Sequence, residues 1–116
     1  MTEPGRLSPE DHKLVTLARA TRARTGAAEG AAVRDLDGRT YAAASVALPS
    51  LSLSAIQVCV AMAVASGAKG LEAAVLLADG DEIAATDLAA IRDLGGSGVV
   101  VHRGSAAGVV SNVTTS

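Results

Sequence analysis

A chain of 116 residues with a net charge of −2 is sized for one domain, and its bulk charge gives no argument for nucleic acid. Hydrophobic residues make up 49%, but alanine and valine dominate, Tyr41 is the only aromatic residue, and there is no Phe or Trp. Alanine buries little area, so the fold needs closely approaching elements and gains from covering an apolar face with a copy of itself; a homo-oligomer is expected. The single cysteine, Cys59, excludes an internal disulfide framework and fits a reducing, cytoplasmic setting.

Residues 1–8 read as a flexible start, polar and without a signal-peptide pattern. Ser8-Pro9-Glu10-Asp11 then supplies an N-cap, a proline at the first helical position and first-turn acids. A helix follows from Pro9 to Thr25, with an apolar stripe through Leu14, Val15, Leu17, Ala18 and Thr21, and Gly26 stops it. Two extended runs, 30–34 and 40–44, flank Asp37-Gly38 and predict an antiparallel hairpin. Pro49 and Ser50 break the chain before a central helix over 52–66, apolar nearly all round and expected to be buried on most faces. The apolar run 53–65 contains Gln57 and is too short to span a bilayer. Leu71 to Leu77 is a buried strand, Thr86 caps a short helix through Leu94, and Val99-Val100-Val101 is a β-branched strand. From Gly104 the chain is Gly/Ser/Thr-rich and reads as a flexible tail, leaving 9–103 as the domain. The order α-β-β-α-β-α-β implies an α/β fold, a mixed sheet covered by helices.

Reactive groups are sparse. His12 and His102 lie far apart, and with Cys59 they make no zinc-ligand spacing. Ser54 sits in no nucleophile elbow. Cys59, between Val58 and Val60, reads as a small buried hydrophobe. Gly95-Gly96-Ser97-Gly98 lacks phosphate-loop spacing and precedes a strand. Asp79, Asp81 and Glu82 form an acidic turn without calcium-loop spacing. Lys13, Arg19, Arg22 and Arg24 lie in a stretch, 12–24, that has no acid. They read as a solvated face, with an RNA or protein partner as the sharper alternative.

Taken together, KLVTLARATRAR, GAAVRDLDGRTYAA, SAIQVCVAMAVASG and LEAAVLL resemble the cytidine deaminase family in order and spacing, over about Lys13 to Arg103. The chain looks like the short bacterial proteins labelled cytidine deaminase on overall similarity. The resemblance implies an α-β-α sandwich and self-association, as a dimer or tetramer, through the central helices and nearby loops. It also locates departures. The family's zinc-bearing Cys-Ala-Glu falls on Ser54-Ala55-Ile56, its second pair of thiolates on Ala84 and Asp87, and its nucleoside-holding Asn-x-Glu on Ser45-Val46-Ala47. A neutral hydroxyl is a poor zinc ligand and isoleucine transfers no proton. The resulting expectation is a catalytically inactive binding or structural module with no catalytic, metal or cofactor residues and no cofactor. The alternative is a cytidine or other nucleoside deaminase-type hydrolase with a relocated site.

Overall fold

The computed structural model describes residues 7–80 and 82–116. The first helix, α1 (Pro9–Thr25), starts as its sequence implies. Ser8 Oγ accepts from the Asp11 amide at 3.1 Å, and Gly26, at φ 68°, donates its amide to the Arg22 carbonyl. Strands β1 (Gly30–Asp35) and β2 (Thr40–Ala44) form the expected hairpin, paired from Gly30↔Ala44 to Arg34↔Thr40. Asp35, in β1, holds the turn together. Its carboxylate accepts from the amides of Asp37 and Arg39, from Arg39 Nε and from the Tyr41 hydroxyl, all at 2.9–3.0 Å. Burial alone would raise its pKa; the Tyr41 hydroxyl and the turn amides outweigh that and hold it low.

Next come β3 (Val46–Leu48) and β4 (Leu51–Leu53), a separate small hairpin, and then α2 (Ala55–Ala65). The central helix therefore begins three residues later than expected. Pro49-Ser50 is the turn of a hairpin whose pairing, Val46↔Leu53, keeps Leu51 to Leu53 extended. Strand β5 (Leu71–Leu77), helix α3 (Ala85–Gly95), β6 (Val100–Gly104) and β7 (Val110–Thr115) complete the chain. Thr86 is not the cap of α3; Ala84 holds that position and makes no side-chain hydrogen bond there. The segment read as a tail, 104–116, contains β7, paired antiparallel with β6. Its β-branched Val110, Val113, Thr114 and Thr115 suit a strand once a partner edge is present.

The main sheet runs β2-β1-β5-β6-β7. Only β5 and β6 are parallel, joined by the α3 crossover; the other neighbours are antiparallel. This is the mixed, helix-covered α/β sandwich that the element order implies. Alternate residues of each strand feed two cores. On one face α1 places Leu14, Val15 and Ala18 over Ala32, Ala73, Val75 and Leu77. On the other, Ile56, Cys59 and Ala63 of α2 and Ile91 of α3 cover Ala31, Val33, Ala74 and Val101. Small residues allow the close approach: a Cβ added at Gly30 would collide with the Ala18 carbonyl and with Arg22 Cβ. Within the single chain α2 is buried only along Ala55, Ile56, Cys59 and Ala63, while Val64 stays 56% exposed. Its all-round apolarity is thus not used up by this core.

Candidate functional site at the helix N-termini

The positions singled out on α2 and α3 meet. Ser54 is the N-cap of α2 and makes a capping box with Gln57: its Oγ accepts from the Gln57 amide at 3.1 Å, and Gln57 Oε1 accepts from the Ser54 amide at 2.9 Å. The Ser54 hydroxyl donates to Asp87 Oδ1, in the first turn of α3, at 2.5 Å. Glu29, just before β1, reaches the same helix end, where Glu29 Oε1 accepts from the Ala55 amide at 3.1 Å. Ser45 fixes Glu29 in turn: its Oγ accepts the Glu29 amide, and its own amide donates to the Glu29 carbonyl, both at 3.1 Å. Three sequence-marked positions, Ser45, Ser54 and Asp87, thus converge with one that sequence reasoning missed. Glu29 offers a single clue, an acid alone within Ala27-Ala28-Glu29-Gly30-Ala31.

Asp87 is only 2% exposed. Burial pushes its carboxyl above the usual range, the nearby Glu29 carboxylate adds to the shift, and the Ser54 hydroxyl opposes it. Ile56 is fully buried in the α2-side core, and Val46 and Ala47 lie in β3. Cys59 is also fully buried; its Sγ contacts the Tyr41 carbonyl at 3.5 Å, and burial pushes the thiol up to about 12. A zinc ion does not fit these residues. The cluster offers a hydroxyl already bound on both sides and two carboxylates, with no thiolate or imidazole, and Ala84, the N-cap of α3, carries no donor side chain. Among the described residues no three His, Cys, Asp or Glu side chains gather into a metal-holding group.

The other sequence candidates lie elsewhere. His102 sits on β6 against α1, with its Nε2 at 2.8 Å from Asp11 Oδ2. Asp11 also accepts from Arg34 Nη2 at 2.8 Å, and Arg34 binds Glu72 at 2.9 Å. His12 is exposed on α1. Asp79 and Glu82 are exposed, and Asp81 lies outside the described residues. Buried Arg103 donates to the carbonyls of Ala78, Asp79, Gly80, Glu82 and Gly104 and so organises the chain around Asp79 and Glu82. Beside it a groove of about 360 Å³ runs between Ile83, Leu88 and Thr114. Gly95 is the last residue of α3, and Gly96 to Gly98 lie in its link to β6. Arg22 Nε donates to the Ala28 carbonyl at 3.2 Å, so one of the four α1 bases already has a partner within the chain.

A family model described as cytidine deaminase-like matches residues 7–108, most of the chain. This protein belongs to the cytidine deaminase-like family. The fold agrees with that membership. A crystal structure of cytidine deaminase from Burkholderia pseudomallei superposes with a TM-score of 0.80 at 21% identity, covering 94% of this chain and 93% of that one. Cytidine deaminase from Mycobacterium leprae gives 0.70 at 20% identity, covering 90% and 93%. A mutant cytidine deaminase from Mycobacterium tuberculosis gives 0.70 at 22% identity, covering 81% and 82%. No curated protein sequence matches the chain. At these identities the likeness concerns the fold of this cytidine deaminase-like protein. The chemistry open to it is set by Ser54, Ile56, Asp87 and Glu29 themselves.

Proposed function

We propose that this cytidine deaminase-like protein is catalytically silent and serves as a binding or structural module that associates with itself. The observation that carries the reading is the hydrogen bond between Ser54 and Asp87. Two positions at which the family resemblance calls for thiolates satisfy one another. The third, Ala84, has no donor, and the position of the proton-shuttling glutamate is the buried Ile56. Hydrolytic deamination needs an activated water and a group to move its protons. Burial raises the pKa of the Asp87 carboxyl, and the Ser54 hydroxyl engages it.

Self-association is supported by apolar surface left on the α2 side. The hairpin leading into α2 exposes Leu48 and Leu51, and α2 exposes Val64. A cytoplasmic setting is supported by the free, buried Cys59. No helix among the described residues is long and apolar enough to cross a membrane.

Zinc content and cytidine turnover, measured on one purified sample, test the reading. We expect no stoichiometric zinc and no turnover. Stoichiometric zinc, with turnover lost on chelation, would overturn it in favour of a relocated deaminase site.

A further inference from the structure

Among the described residues strand β7 is an edge strand, hydrogen-bonded to β6 on one side and to no strand on the other. Of its six residues only Val110 is buried. The opposite edge, β2, lies between α1 and α2, which pack on its two faces. Among the described residues β7 has no comparable cover. Soluble proteins usually blunt such an edge with Lys, Pro or an inward charge, yet Val-Ser-Asn-Val-Thr-Thr contains none of these.

The strand is also held in place. The Ser116 amide donates to the Val99 carbonyl at 3.0 Å and the Val99 amide to Ser116 Oγ at 3.0 Å. The Gly98 amide donates to the Ser116 carbonyl at 3.1 Å, and Ser116 Oγ donates to the Gly96 carbonyl at 2.7 Å. An edge clasped at its end in this way has little conformational freedom left to lose on association.

The register decides what can cover it. The Ser116 amide faces β6, and facing alternates along an antiparallel ladder. Asn112 and Thr114 therefore also turn their backbone groups toward β6, whereas Val113 and Thr115 turn theirs outward. A two-fold axis through Val113 brings outward groups against outward groups, the pairing an isologous contact requires. It sets Val113 against its own copy, and Asn112 against Thr114 of the second chain and the reverse. Apolar meets apolar, and no charge meets a like charge. A shift by one residue would oppose outward to inward groups and lose the ladder.

We propose that β7 is an interface for a second copy of this chain, paired antiparallel about Val113 so that one sheet runs through both copies. This surface is separate from the apolar side of α2. The test uses Val113→Cys, with Cys59 buried and therefore silent, and Val109→Cys as an exposed, off-register control. We expect a short bifunctional maleimide or mild oxidation to convert V113C, and not V109C, to a covalent dimer. Val113→Lys places two like charges at the axis. We expect it to halve the mass measured by sedimentation at micromolar concentration and to leave the circular dichroism spectrum unchanged, because Val113 is 42% exposed. Cross-linking of V113C no faster than that of V109C, or an unchanged mass for a folded V113K, overturns the proposal.

Discussion

Asp11 and Asp87 are both acids in the first turn of a helix, packed against opposite faces of the same sheet. Their carboxyls shift in opposite directions. Burial would raise both. At Asp11 hydrogen bonds and charge from His102 and Arg34 outweigh it, so the pKa falls. At Asp87 the neighbours are a hydroxyl and the Glu29 carboxylate, so burial prevails and the pKa rises. The α1 side is a charge-paired staple, whereas the α2–α3 side, where family resemblance locates the metal, is a carboxyl driven toward its neutral form. A helix N-terminus favours an anion, but the groups beside it decide the outcome.

The largest expected effect tests how closed the α2–α3 side is. Ile56→Glu restores the residue type that the resemblance calls for, but it buries an unpaired carboxylate among apolar side chains. We expect a loss of about 4 kcal/mol or failure to fold, read by urea unfolding. A well-folded I56E within about 1 kcal/mol of wild type would mean that the position opens onto water, and the contrast between the two sides would fail.

Arg34→Ala breaks the staple. It strips a charge partner from Asp11, which is only 15% exposed, and we expect a cost of about 3 kcal/mol at neutral pH. Asp11 has a lowered pKa in the folded state, so its contribution is present above its ordinary value of 3.8 and is lost as pH falls through the folded value. The gap between R34A and wild type should narrow with acidification over that range. A gap independent of pH would assign the loss to packing alone.

Ser54→Ala removes the α2 cap and the donor to Asp87, for an expected cost of about 1 kcal/mol. Asp87→Asn should change least. Its amide oxygen can still accept from Ser54, and it removes a carboxyl that the fold already pushes toward its neutral form. Because the folded pKa is raised, wild type loses stability as pH rises from the ordinary 3.8 through the folded value. D87N lacks that loss, so it should equal wild type in acid and match or slightly exceed it at neutral pH, within about 1 kcal/mol. A clear destabilisation at neutral pH would show a carboxylate that is ionised and needed there.

Much of this contrast was legible in the residues. Ser8-Pro9 and Gly26 bound α1 where the helix lies, and Asp37-Gly38 marks the hairpin. Ser54 and Asp87 stand out through the family resemblance, and the structure adds that they touch. Other features carry no local mark. Glu29 joins the cluster from twenty-six positions before Ala55. α3 starts at Ala84 without a capping side chain, so a nearby threonine reads as the better start. Leu51 to Leu53 is as apolar as the helix that follows, and only its pairing with Val46 to Leu48 holds it extended.

By itself the sequence determined the elements whose reasons are local: caps, turn residues, alternating apolar runs and the thin, alanine-rich core they require. It also determined which donors exist at all, and so the lack of thiolates at Ser54, Ala84 and Asp87. Tertiary structure decided what depends on a distant partner. It made a strand of Val110 to Thr115 by giving it the β6 edge, and it set Asp11 beside a guanidinium and Asp87 beside a hydroxyl. A strand is stabilised by its neighbour's backbone and a buried charge by its counter-charge, and neither is adjacent in the chain.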